Sequence, residues 1–344
     1  MKNWQNNIVA LILLAFFLVA PFLFPNNMSQ LSDLMVFILI ALAWDMLGGQ
    51  MGYNSFGNVL FFGIGMYIVA STEVILGGFN LAEYTSAMGG NQGSFVLTPS
   101  QYLIGFGVGI ILAAVINFLL GLLIGSQFLQ MRGHYFAIAT LAIGVAAAEI
   151  ARSIPIIGAG SGMNFPQPPE GIALFQILYY LGLALVVLFF IFLSWLYKTR
   201  FGFIMNAIRD DEDKAEAMGL PTASIKSTAW AISAFVFAYA GALYGSAKNF
   251  IDPSEVAFPF TTVGVWMILM AIMGGMGTIW GPIIGAIVFQ IFKELFWTYL
   301  FGWQRVALGL LIVIIVVFFP DGIMGAFNNW RKRKNLQNTA KAKS

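Results

Sequence analysis

Cysteine is absent from this chain of 344 residues, and histidine occurs once, at His134. Disulfides, thiolate metal sites and cysteine nucleophiles are therefore excluded together. A zinc or di-iron centre would lack its usual ligands. Charge is equally scarce, with Asp, Glu, Lys and Arg making up 9% of the residues, against about 25% in a soluble globular protein. No G-x-x-x-x-G-K-[ST] phosphate loop occurs, so nucleotide-driven work would have to be done by another polypeptide. With one histidine and scattered carboxylates, no catalytic constellation can be assembled by residue type, and the chain reads as a non-enzyme with no cofactor or metal of its own.

What fills the sequence instead is apolar: 59% hydrophobic residues, with a mean hydropathy of +0.84. That fraction of 344 is about 203 residues, and a bilayer core about 30 Å thick takes about 20 per helical crossing, which leaves room for about ten. Apolar runs fall at 8–24, 31–47, 56–76, 102–129, 135–151, 172–196, 227–247, 261–273, 279–296 and 306–319. They lack the period-two alternation of barrel strands, so backbone pairing in lipid requires helices. The expected fold is an all-α, polytopic membrane bundle of about ten helices, with residues 1–330 as one domain and 331–344 as a basic tail. The eighth run is short for a span and reads as a broken helix. The first has one nearby cation and no small-residue cleavage pattern, so it reads as a retained helix.

Lysine and arginine set the orientation, because they are held preferentially on the cytoplasmic side. With the N-terminus inside and ten crossings, thirteen of the 17 basic residues are cytoplasmic, the exceptions being Arg152, Lys248, Lys293 and Arg305. The last three sit near outer ends, from which they can snorkel to the interface. The tail Arg331–Lys334 follows the last span at the inner surface, where anionic lipid attracts each cation by about 1 kcal/mol. Both termini are thus expected in the cytoplasm of a prokaryotic cell, with the chain in its plasma (inner) membrane.

One sizeable polar segment separates helices, residues 198–226. Its centre runs Arg209, Asp210, Asp211, Glu212, Asp213, Lys214, Ala215, Glu216, Ala217, Met218, Gly219, Leu220, Pro221. The pattern predicts one complete short helix, with Asp210 capping the first amides, acids near the positive end of the dipole, Gly219 at the left-handed stop and Pro221 forbidding continuation. Ala207, Ile208, Ala215 and Met218 would form a narrow apolar face. A helix tethered in this way suits docking into a groove on a partner.

The stretch resembles the coupling loop of ABC importer permeases, in which a Glu-Ala-x-Gly pattern, here Glu216 to Gly219, marks the contact with the ATPase. More closely, the sequence is similar to LivM-type permease subunits of branched-chain amino acid importers. The matching blocks are GYNSFGNVLFFGIGMY at 52–67, RGHYFAIATLA at 132–142, AIRDDEDKAEAMG at 207–219, GGMGTIWGPIIGA at 274–286 and PDGIMG at 320–325. The resemblance implies a permease that forms half of a solute pathway. Its partners would be a LivH-type second permease, two cytoplasmic ATPase subunits holding ATP and Mg, and an extracytoplasmic solute-binding protein, with no nucleic acid. Coupling would pass through Ala207, Arg209 to Asp213, Ala215, Glu216, Met218 and Gly219.

Two glycine clusters accompany these blocks: Gly57, Gly63 and Gly65, and Gly274, Gly275, Gly277, Gly281 and Gly285. The spacing of Gly277, Gly281 and Gly285 predicts three small residues on one helix face. Tight packing is one reading; an inner gate that lets helices tilt is the other. The Gly- and Pro-rich segment 156–171 reads as an irregular outer loop. Docking of a binding protein could use it, or Glu83, Lys248, Asp252 and Glu255. Ionisable residues at membrane depth, Asp45, Glu73, Glu149, Arg152, Lys293 and Glu294, are costly there and so are candidates for a functional role. A pairing of Glu149 with Arg152 explains two of them. The competing function is an ion-coupled secondary carrier acting alone, which would more naturally carry paired intramembrane carboxylates.

Overall fold

The computed structural model describes residues 2–86, 95–129, 131–300, 302–318 and 322–325. The basic tail and the side chain of Arg305 lie outside the described residues. The chain forms α1 (Lys2–Leu23), α2 (Met28–Gly48), α3 (Asn58–Leu76), α4 (Leu81–Ser86), α5 (Pro99–Phe128) and α6 (Gly133–Ser153), then a two-residue strand β1 (Met163–Asn164). Next come α7 (Leu174–Leu196), α8 (Arg200–Asp210), α9 (Glu212–Ala217), α10 (Thr222–Lys248) and β2 (Phe250–Ile251), which pairs antiparallel with β1. Two π-helical turns, Pro253–Ala257 and Phe260–Gly264, lead into α11 (Val265–Gly274), followed by α12 (Trp280–Tyr299) and α13 (Gln304–Phe318). Each of the ten apolar runs coincides with a helix. Among the described residues, seven helices are long and apolar enough to cross a membrane. The eighth run, 261–273, is itself continuous from the second π-helical turn into α11; the break lies just before it, at Pro259, which has no amide hydrogen to give.

The fold is an all-α bundle wrapped around α2. From Ser32 to Gly48 every residue of α2 is buried, enclosed by α7, α10, α11 and α12. Small residues let α10 come close to α3: a Cβ on Gly65 would collide with the Ala238 carbonyl, and one on Gly241 with that of Phe62. The rim is apolar outward, with Ile111 and Leu119 of α5, Leu188 of α7 and Val313 of α13 exposed. In lipid no hydrophobic force drives such side chains inward. Local signals place the ends. Thr98 accepts from Gln101 N at 3.3 Å while Gln101 Oε1 accepts from Thr98 N at 3.0 Å, a reciprocal cap on α5.

Connections alternate between the two ends of the bundle. Residues 49–57, 129, 131–132, 197–221 and 275–279 gather at one end, the α8–α9 end. At the opposite end Tyr84 Oη donates to the Asn164 carbonyl at 3.4 Å, and β1 joins β2. Segment 156–171 forms this opposite-end connection with short 3-10 turns and β1. Residues 49–57 turn back into the bundle without forming helix. The Trp44 Nε1 donates to the Ser55 carbonyl at 2.8 Å, and Asn58 joins Ser55, Trp230 and Ser233 in a buried polar network.

Candidate functional site

The polar segment forms two helices rather than the single one its pattern predicts. Asp210 closes α8, and Asp211, in extended conformation, caps α9 by accepting from Lys214 N at 3.1 Å. The acidic run offers several capping residues in a row, and the sharp bend between the helices selects the second. Gly219 is left-handed, at φ +77°, with open space where a Cβ would be, as its stop role requires. The apolar face also divides: Ile208 and Ala215 are buried, whereas Met218 is 80% exposed.

Acidic side chains of α9 are held by four groups from other elements. Lys226, on α10 and almost fully buried, donates to Glu212 Oε1 at 2.6 Å and to the Leu129 carbonyl at 2.6 Å. Tyr53, from the re-entrant segment, donates to the other Glu212 oxygen. Its phenol is pushed well above its ordinary range by burial and then by the Glu212 carboxylate. Arg132, at the start of α6, bonds Asp213 and also Glu216, the latter at 2.7 Å. Those two bonds raise the Arg132 pKa. Glu216 is held below the usual carboxylate range by the Thr222 hydroxyl at 2.8 Å and then by Arg132. Asp211 is likewise lowered by Lys214. The α9 helix is thereby fastened at once to α6, to α10 and to the segment before α3.

Arg209 reaches a second contact. Its side chain packs on Gly52, where a Cβ would stand 3.2 Å from Arg209 Cγ, and extends toward Gly277. Both polar groups of the Gly277 peptide are taken by the end of α2 and the turn after it: Asp45 Oδ1 accepts from its N–H at 2.9 Å, and Gln50 Nε2 donates to its carbonyl at 2.7 Å. Gly277, at φ +73°, therefore lies in the turn before α12 and not on the helix face that the four-residue spacing predicts. Gly281 and Gly285 do face α11. A Cβ on Gly274 or Gly281 would strike the carbonyl of Gly281 or Gly275, and one on Gly285 that of Met270. Gly275 is also left-handed, at φ +116°. Gly57 abuts the Thr140 carbonyl of α6, and Gly63 abuts Phe258.

The remaining ionisable residues at membrane depth find ordinary partners, with one exception. Arg152 pairs with Glu149 at 3.2 Å. Lys248 and Lys293, instead of standing apart at the interface, converge on Asp33 at 3.0 and 3.7 Å, and Lys293 also lies 3.7 Å from Glu294. The exception is Glu73, buried against α5 with neither carboxyl oxygen hydrogen-bonded among the described residues. Sequence reasoning missed Asp33, Tyr53, Arg132 and Lys226 as members of a site. The signals were present: two cations on the disfavoured side require a nearby acid, and an acidic helix docked on a bundle requires basic anchors in the adjoining turns. Among the described residues no group of three or more His, Asp or Glu could hold a metal ion.

A family described as the branched-chain amino acid transport system / permease component matches residues 28–318. The high-affinity branched-chain amino acid transport system permease protein LivM of Salmonella typhimurium is 25% identical, with 89% of this chain and 77% of the relative covered. Its Escherichia coli counterpart is also 25% identical, over 95% of this chain and 76% of its own. The probable permease protein LivH of Methanocaldococcus jannaschii is 28% identical over 42% of this chain and 46% of its own. No solved structure matches.

Proposed function

The chain belongs to the family of permease components of branched-chain amino acid transport systems, and from that premise we propose that α8 and α9 receive the stroke of a separate ATPase and pass it to the bundle. The α8–α9 end faces the cytoplasm of a prokaryotic cell, in its plasma membrane. A LivH-type permease completes the solute pathway, two ATPase subunits bind ATP and Mg, and a solute-binding protein delivers its cargo at the opposite face. The solute is a branched-chain amino acid, as the names of the relatives suggest. Family membership favours this subunit reading over an ion-coupled carrier.

The observation that carries the proposal is the exposure of Met218 on a helix whose other side is bolted down. A large apolar side chain left out one turn from the exposed Lys214 suits a partner's groove. Displacing α9 would load α6 through Arg132, α10 through Lys226 and the turn before α3 through Tyr53, while α8 carries Arg209 against Gly52 and Gly277. A single push thus reaches both glycine clusters, which act as the inner gate by allowing backbones to slide in contact.

The Met218→Glu variant, assembled with its partner subunits in vesicles, tests this. Uptake and solute-stimulated ATPase are expected to fall together, with the melting temperature little changed because the Met218 side chain is 80% exposed. Full activity in that variant would overturn the docking assignment, and uphill accumulation by this chain alone would overturn the need for a motor.

A further inference from the structure

Two interruptions of helix meet inside the bundle. The first is the stretch leading into α3, which lies at depth: Ser55 is held by Trp44, and Asn58 donates to Ser233, midway along α10. The second is the gap at Pro259 between the π-helical turns. They touch each other, with the Phe56 and Phe260 ring centroids 5.9 Å apart. Phe56 N also donates to Thr140 Oγ1 of α6 at 3.1 Å. The residues beneath are buried, but Phe56, Phe260 and Thr262 are half-buried and Thr261 is exposed.

Irregular backbone at membrane depth does not face lipid; it is covered by protein or lines a water-filled passage. The lipid rim has a different character, with unbroken helices presenting Ile111, Leu119 and Leu188. Around Thr261 the surface offers hydroxyls, aromatic rings and a π-helical turn that starts at the break. On neighbouring α6, Ala142 and Ala146 are exposed, small enough for another helix to approach closely. The chain's similarity to both LivM and LivH proteins points to a covering partner of its own kind.

We infer that Phe56, Phe260, Thr261 and Thr262 form this chain's wall of the solute path, closed on its far side by a second, homologous permease chain. The two rings suit an apolar side chain, and the two hydroxyls suit the polar end of the same small solute. This wall rests on the subunit reading above and adds to it the face on which the path runs.

Because the chain has no cysteine, Thr261→Cys introduces a unique thiol here, and the partners' cysteines can be replaced by serine. In the assembled complex in vesicles, a negatively charged methanethiosulfonate reagent is expected to modify T261C and remove most of the uptake, with saturating solute slowing the reaction. L119C, on the lipid rim, is expected to stay unmodified. T262C is the second probe should T261C fail to assemble. An unreactive thiol at 261 or 262, or modification without loss of uptake, overturns the wall while ATP-driven uptake by the unmodified complex still stands. Absence of that uptake before any labelling overturns the subunit reading instead.

Discussion

At the α8–α9 end, the clamp on α9 joins its neighbours by charge, whereas around the turn between α11 and α12 Gly274, Gly281 and Gly285 join those two helices by having no side chains. The clamp is graded from the buried Lys226–Glu212 pair, with side chains 3% and 11% exposed, to the open Arg132–Asp213 pair at 45% and 81%. The glycine contact has no such gradient, because every added Cβ meets backbone. A coupling device needs both kinds of joint. Charge transmits a pull through side chains that can lengthen, and bare backbone fixes where the helices pivot.

The largest effect is expected where the charge is buried. Lys226→Met takes away the nearest partner of Glu212, at 2.6 Å, and leaves the carboxylate to the Tyr53 hydroxyl and to the half-exposed Arg132, 3.6 Å away. The cost is therefore expected to be less than the loss of about 3–5 kcal/mol when a buried pair is broken outright. The double variant K226M/E212Q is expected to recover a good part of that loss, because the weakly compensated charge is gone. Thermal unfolding of the two variants in detergent checks it. A double variant no more stable than K226M would show that packing of the lysine stem, not charge, holds this joint.

Glycine separates the two contacts further, because one residue type serves for two reasons. G285A drives a Cβ into the Met270 carbonyl of α11, and overpacking of this kind costs about 1–3 kcal/mol. G219A meets nothing within 4 Å, so its cost is the left-handed backbone alone, about 1 kcal/mol. Unfolding midpoints should therefore fall more for G285A than for G219A. Equal losses would mean that α11 can shift to make room, and the pivot would be softer than its contacts imply.

Much of this arrangement was legible in the sequence, and the rest had identifiable reasons for staying hidden. Apolar run length placed a helix in each of the ten runs, because hydrocarbon enforces backbone pairing wherever the chain enters it, but it set the break inside the eighth run when the break falls just before that run, at Pro259. Gly219 could be read from its position after a short helix. The cap could not, since Asp210, Asp211 and Asp213 are chemically equivalent until the bend between α8 and α9 chooses among them. Spacing alone assigns Gly277 to a helix face, because a four-residue repeat says nothing about where the helix begins, and Trp280 begins it only after the turn. The anchors Tyr53, Arg132 and Lys226 are far apart in the chain, so their convergence on Glu212 and Glu216 is a property of packing that no local pattern encodes. Asp33 was concealed within an apolar run, although the two displaced lysines at 248 and 293 gave its presence away.

The smallest effect belongs to the open edge of the clamp, and its sign follows from the pKa of Glu216. That carboxyl is lowered by the Thr222 hydroxyl and by Arg132, so the folded protein favours its charged form more than the unfolded chain does. Its contribution is therefore fully present above the ordinary glutamate pKa of about 4.3 and is lost as pH falls through the lower folded value. E216Q is expected to melt slightly below the parent at neutral pH, with the difference closing in acid and shrinking in high salt, as screening of an exposed pair requires. A difference that persisted unchanged at acid pH would place the contribution of Glu216 in its neutral hydrogen bond to Thr222. The edge of the clamp would then resemble the glycine contact, held by fit and indifferent to charge.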